Sequence, residues 1–210
     1  MYGSVPRKIG RLTADLLRHP RYISRCLSHH PLNGRSPLDF EIPWFSYEGI
    51  DFLKGFLEPH MVAFEYGSGG STLFLAKRVK FLYSVEDNPE WYQRVCRQLN
   101  EKRINNVNIQ LRPFDFKNPV GFEDSAYLKA LPKQLFDVIV IDGSEEWTQV
   151  RPVCFQYAEN FVRKGGIIVV DDSWRYPGLR TSHHAKKVQT FQSVGPCRFG
   201  VTSTDVFFYL

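Results

Sequence analysis

Five acidic side chains stand at the ends of apolar runs in this chain: Glu65, Glu86, Asp142, Asp171 and Asp172. The first is followed by a turn nearly stripped of side chains, "FEYGSGGST", in which Glu65, Gly67, Gly69 and Ser71 make the pattern E-x-G-x-G-x-S. Glycine lets a backbone lie close to a bound group and adopt positive φ. A helix that starts behind such a turn also offers unpaired N–H groups. Glu86 lies 21 residues beyond Glu65, and an acid at that spacing accepts hydrogen bonds from both hydroxyls of a ribose. These features imply a nucleoside-bearing cofactor. The dinucleotide fingerprint G-x-G-x-x-G is incomplete, because Thr72 stands where its third glycine belongs, and the lysine of a phosphate-binding loop is missing.

The other three acids suggest a second chemistry. In a parallel sheet the C-terminal ends of the strands share one edge, above which ligands bind. Asp142, Asp171 and Asp172 would converge there and repel one another. Such an oxygen cluster suits Mg²⁺, which would hold an acceptor hydroxyl and lower its pKa. The alternative is that Asp142 and Asp171 bond to backbone and cofactor while Asp172 caps a loop. His183 and His184 are either a base or solvated. Trp147, Trp174, Arg175 and Tyr176 either line an acceptor pocket or pack.

The surrounding pattern supplies the elements that would position these groups. A helix is expected from Ser46, closed by Pro59, then a strand at Val62–Tyr66, a helix at about Ser71–Arg78 and a strand at Phe81–Val85. A helix at about Pro89–Lys102 follows, with Asn88 as its cap and Pro89 at its first position. "VNIQLR" reads as a third strand, and a loop of about 20 residues follows, a length often tied to function. "FDVIVIDG" and "GGIIVVDD" read as strands covered on both faces. Between them, Glu145 to Val162 reads as a helix broken near Pro152. A helix near His183–Phe191 and a terminal hairpin within "CRFGVTSTDVFFYL" complete an α/β fold: a doubly wound, seven-stranded, mostly parallel sheet with a terminal antiparallel hairpin.

"FEYGSGGSTLFLA", "LYSVEDNPEWY", "FDVIVIDG" and "GGIIVVDDS" resemble, in type, order and spacing, the motifs of class I S-adenosylmethionine-dependent methyltransferases. The resemblance runs from about Trp44 to the C-terminus and is strongest to a group with E-x-GSGGST and SVE-x-x-P-x-W. It implies that Glu65 holds the methionine ammonium and that Gly67, Ser68, Gly69 and Ser71 form the turn against the ligand. It further implies that Glu86 binds the ribose, with Asp87 near the adenine, and that Asp115 and Phe114 meet the adenine. Asp142 would touch the cofactor and act as the catalytic acid–base group. The metal set, Asp142, Asp171 and Asp172, is similar to that of catechol-type O-methyltransferases, with Asp-Asp where those have Asp-Asn. Glu145 stands where they often carry lysine. The (D/N)PPY motif of base N-methylation is replaced by "IDGS". The expected acceptor is a hydroxyl of a small molecule or sugar. An NAD-dependent oxidoreductase and a non-catalytic interaction or membrane-docking module are the rival readings.

The 210 residues are 43% hydrophobic and 23% charged, as in an ordinary globular protein. Cys26, Cys96, Cys154 and Cys197 are far apart and form no CxxC pair, which suits free thiols in a reducing cytoplasm. Neither a membrane span nor a secretory signal is visible. The net charge of +5 is carried by residues 1–40, with seven basic and two acidic side chains; residues 41–210 balance. Two units follow: a basic N-terminal helical arm, 1–40, and a methyltransferase-like domain, 41–210. A neutral main domain is not one built to grip nucleic acid. The arm puts Ile9, Leu12, Leu16 and Leu17 on one helical face, to pack on the domain, to form a homodimer, to lie peripherally on an anionic membrane, or to contact nucleic acid.

Overall fold

The computed structural model describes residues 5–210. Strands β1 (Val62–Tyr66), β4 (Phe136–Ile141) and β5 (Val162–Val170) occupy its centre and bury apolar side chains on both faces. Successive residues alternate between two cores. Phe64, Ile139, Ile141, Ile168 and Val170 join one cluster, with Phe155 of α7 (Val150–Ala158). Ala63, Val138, Val140, Ile167 and Val169 join the other, with Ile50 and Leu53 of α4 (Tyr47–Phe56) and Phe74 of α5 (Gly70–Ala76). Each such side chain, fully buried, contributes about 1.5–3 kcal/mol.

With β2 (Phe81–Glu86), β3 (Val107–Leu111), β6 (Lys187–Val194) and β7 (Val201–Tyr209), the sheet runs β3-β2-β1-β4-β5-β7-β6. The first five strands are parallel, and β7 is antiparallel to both neighbours. The order reverses between β1 and β4, where an open α/β sheet binds its ligand. The expected helix caps are present: Ser46 accepts from Gly49 N at 3.1 Å ahead of α4. Asn88 accepts from Trp91 N at 3.0 Å ahead of α6 (Pro89–Glu101).

Three expectations are corrected. The helix expected from Glu145 begins only at Val150, so Pro152 sits in its first turn, where no N–H partner is lost, and breaks nothing. The helix expected near His183–Phe191 is instead largely β6. Its "VQTFQSV" is β-branched and aromatic enough to pair along β7, and that long-range pairing decides its state. The terminal hairpin therefore spans β6 and β7, with its turn at residues 195–200, and "CRFGVTSTDVFFYL" supplies only one strand.

The N-terminal segment packs on the domain. Helix α1 (Val5–Arg18) lays Leu12 and Leu16 against the second cluster. Its buried Asp15 accepts from Val194 N at 2.8 Å. Leu17 is 77% exposed rather than packed, and the side chain of Ile9 lies outside the described residues. After α2 (Ile23–Ser28) and α3 (Pro37–Phe40), the chain lies directly on α5. A Cβ on Gly70 would run into the carbonyls of Ile42 and Pro37. Among the described residues no helix is long and apolar enough to cross a membrane.

Candidate active site

A cavity of about 1200 Å³ opens above the C-terminal ends of β1, β2, β4 and β5. Its floor is the glycine turn. Gly67 has φ +85°, and a Cβ there would stand 2.5 Å from the Asp142 carbonyl. This glycine is thus required by the neighbouring strand end as well as by any ligand. The indole N–H of Trp91, on α6, donates to the Ser68 carbonyl at 2.6 Å and ties the turn to that helix. Trp91 closes the SVE-x-x-P-x-W pattern, which was the available signal for it.

Glu65 is fully buried behind this turn. Its Oε1 accepts from Ser84 at 2.9 Å and from Thr72. Ser71 lines the cavity. The Glu65 Oε2 has no partner. Burial outweighs these bonds and lifts its pKa to about 8. Glu86 is 4% exposed and lines the cavity. Oε2 accepts from Ser68 N and Ser68 Oγ at 2.8 and 2.7 Å, and Oε1 from Asp87 N and Asn88 N at 3.1 and 2.9 Å. A ribose diol would have to replace two of these four donors, the Ser68 hydroxyl among them, since a carboxylate offers about four acceptor sites. Asp87 also lines the cavity, its pKa pushed to about 6 by burial and by Glu86.

Phe114 and Asp115 do not reach this group. Phe114 stacks with Phe116 and Phe122 in the loop after β3, at 5.3 and 5.1 Å. Asp115 is exposed and accepts from Lys117 N at 3.0 Å. Neither residue lines the cavity.

At the other end of the cavity the acids meet arginines. Arg151, on α7 and 4% exposed, lies 3.0 Å from Asp142 Oδ1 and donates to the carbonyls of Asp171 at 2.7 Å and Gly143 at 3.0 Å. It fastens the end of β4 to that of β5. Burial lifts the Asp142 pKa to about 6 against the pull of Arg151. Asp171 is buried, accepts from Thr204 at 2.8 Å and is pushed far above the usual carboxylate range by burial. Asp172 takes a left-handed φ of 46°. Its Oδ1 receives Arg198 at 2.9 Å, Trp174 Nε1 at 3.3 Å and Thr202. Burial raises its pKa, but Arg198 and Thr202 outweigh that and hold it below the usual range. Glu145 lies 3.3 Å from Arg151 and 2.9 Å from Arg175.

These acids do not form an oxygen shell. Among the described residues no three His, Cys, Asp or Glu side chains are placed to hold a metal ion. The positive charge that Mg²⁺ was expected to bring comes from Arg151, Arg175 and Arg198, so the residues do not fit the ion. The histidines are elsewhere: His184 pairs with Glu159 at 3.0 Å, and His183 packs edge-on to Phe207. All four cysteines are free. Arg151 carries no sequence pattern of its own, and only its contacts reveal it.

A family model for a methyltransferase domain matches residues 64–173, from β1 to the turn after β5. The chain belongs to that family. It is thus a class I S-adenosylmethionine-dependent methyltransferase by sequence, and its strand order agrees. Comparison with curated proteins found no match. Among solved structures, this methyltransferase is similar to an O-methyltransferase from Bacillus cereus in complex with S-adenosylhomocysteine. Identity is 17%, coverage 70% of this chain and 74% of that one, and the TM-score 0.56. An rRNA methylase from Streptococcus thermophilus is similar at 14% identity, covering 76% and 93%, with TM-score 0.55. A precorrin 8w decarboxylase from Methanobacterium thermoautotrophicum is similar at 18% identity, covering 79% and 92%, with TM-score 0.55. Likeness at these identities shows the fold, which here hosts several chemistries.

Proposed function

We propose that the protein methylates a hydroxyl of a small molecule or sugar, with Asp142 as the group that takes the proton. The observation that carries this reading is the position of Asp142. It lines the cavity between the glycine turn and the arginine-bound acids, held by Arg151 at 3.0 Å. The cofactor fits the other half. The unpartnered Glu65 Oε2 and the cavity-lining Ser71 suit an ammonium. Glu86 suits a ribose, the backbone of Gly67, Ser68 and Gly69 suits close approach, and Asp87 suits the base.

When bound, S-adenosylmethionine supplies a methyl group on a sulfonium. The chain's own residues then orient the acceptor and remove its proton. In that transfer the acceptor's hydroxyl proton would pass to a carboxylate oxygen of Asp142, leaving the acceptor oxygen free to take the methyl group. Arg151 keeps that carboxylate in place. Alignment of this kind can supply about 7–11 kcal/mol of barrier reduction. No metal step is needed, because a base and fixed guanidinium charge are present. The N-terminal segment serves as a contact surface for a membrane or a second copy.

A screen of cell extract with labelled S-adenosylmethionine would identify the acceptor. With it in hand, Asp142→Asn should lower kcat by about a hundredfold or more and leave S-adenosylhomocysteine affinity within a few-fold. For the wild type, kcat/KM should rise with pH through about 6, as Asp142 loses its proton. Undiminished turnover by the Asn variant would remove Asp142 from the role. A protein that binds the cofactor product but is inert towards every acceptor would instead support a non-catalytic module.

A further inference from the structure

The segment that walls the cavity also carries an outer face of a different kind. Ile23 and Leu27 lie four residues apart on α2, and both are exposed. Leu32, in the turn Pro31–Asn33, is 79% exposed, and Phe199, between β6 and β7, is 56% exposed. Three contacts hold these positions together. Asn33 Nδ2 donates to the Ser28 carbonyl at 3.1 Å, and Cys197 N donates to the His29 carbonyl at 2.9 Å. The Phe199 ring meets His30 edge-on at 5.3 Å. Their chain neighbours Pro31, Cys197 and Arg198 line the cavity, so this apolar face borders its mouth. Between residues 10 and 35 the chain has five arginines and one acid, Asp15, which is buried on Val194 N. Arg25 is paired with Asp51, and the exposed Arg21 lies 3.9 Å from Glu48; Arg11, Arg18 and Arg35 are exposed.

We propose that this face seats the protein on an anionic lipid surface, with the cavity mouth turned toward the headgroups. That the acceptor hydroxyl is reached from the membrane rests on the methyl-transfer reading above; the docking itself does not. Large apolar side chains that protrude between arginines suit insertion at the headgroup boundary, while the guanidinium groups meet lipid phosphates. A second copy matches this face less well, because an isologous contact would set the arginines against themselves. Nucleic acid offers phosphates but no apolar medium for Leu27 and Leu32.

The test is sedimentation of the full chain with vesicles of phosphatidylcholine plus phosphatidylserine, and of phosphatidylcholine alone. The second protein is the triple variant Leu27→Ser, Leu32→Ser, Phe199→Ser. The wild type should pellet with the anionic vesicles, less so in high salt. The variant should lose at least about tenfold in vesicle affinity. S-Adenosylhomocysteine affinity, measured on both proteins, should be equal, which shows that the variant is folded and reports separately on the cofactor reading. Failure of the wild type to bind anionic vesicles overturns the proposal, as does equal binding by the variant. So does a wild-type dimer that the variant converts to a monomer in the absence of vesicle binding.

Discussion

The two halves of the cavity stabilise their acids in opposite ways. At the β1–β2 edge, Glu65 and Glu86 are held by hydroxyls and backbone N–H groups, and no arginine approaches them among the contacts described. At the β4–β5 edge, Asp142, Glu145, Asp171 and Asp172 face Arg151, Arg175 and Arg198. The first half leaves negative character available for a cationic ligand. The second is already balanced and presents fixed charge to an acceptor. Burial shifts a carboxylate's pKa upward and a neighbouring guanidinium pulls it back; Asp142 and Asp171 stay raised despite Arg151 and Arg198, while Asp172 is drawn down. Glu65 and Asp172 show the two extremes, one raised to about 8 and the other held below the usual range.

The largest effect should come from breaking the balanced half. Arg151→Met would leave the Asp142 carboxylate without its guanidinium and the Asp171 and Gly143 carbonyls without their donor, at a cost of about 3–5 kcal/mol. Chemical denaturation should show it, and a variant as stable as wild type would mean that the acids are neutral there. Next is Gly67→Ala at the seam between the halves. It combines positive φ with a Cβ 2.5 Å from the Asp142 carbonyl, so about 3 kcal/mol of stability should be lost. An unperturbed variant would show that the strand ends can part.

Glu65 sharpens the contrast through pH. Its folded pKa, about 8, lies above its ordinary value of 4.5, so between those values the folded state binds more protons than the unfolded one. Stability of the ligand-free protein should therefore fall as pH rises across that window, and Glu65→Gln should flatten the slope. An ammonium beside it should reverse the shift. S-Adenosylhomocysteine binding near pH 7 should then release protons, seen as heats that depend on buffer ionisation enthalpy. Equal heats in all buffers would mean that no ammonium meets Glu65. The smallest effect is that of Trp91→Phe, which removes one hydrogen bond to Ser68, worth about 0.5–1.5 kcal/mol. It should loosen cofactor affinity and leave Asp142 chemistry alone; a defect confined to turnover would argue against that division.

Residues with local signals were legible. The strands β1, β4 and β5 are continuous apolar runs, and the Ser46 and Asn88 caps precede clear helices. The glycine turn and Glu86 carry their spacing with them, and the structure brings both to one cavity. What failed depends on partners distant in sequence. β6 looks helical until β7 is beside it. Asp142, Asp171 and Asp172 look like metal ligands until Arg151 and Arg198 are placed among them, 9 and 26 residues from the nearest acid of the sets they serve, Asp142 and Asp172. Asp115 looks like an adenine ligand until the packed aromatic loop turns it to solvent. A sequence displays which acids end strands, but not which cations fold over them.

The central claim is that Glu86 and the glycine turn hold the cofactor while Asp142 serves the acceptor. A calorimetric titration of S-adenosylhomocysteine into wild type, Glu86→Gln and Asp142→Asn tests it most directly. Charged hydrogen bonds to the ribose are worth about 1.5–3 kcal/mol each. The Glu86 variant, folded by circular dichroism, should therefore bind at least tenfold more weakly, by about 1.4 kcal/mol or more, and the Asp142 variant nearly as well as wild type. Unchanged affinity in the Glu86 variant, or a collapse confined to the Asp142 variant, would contradict the account.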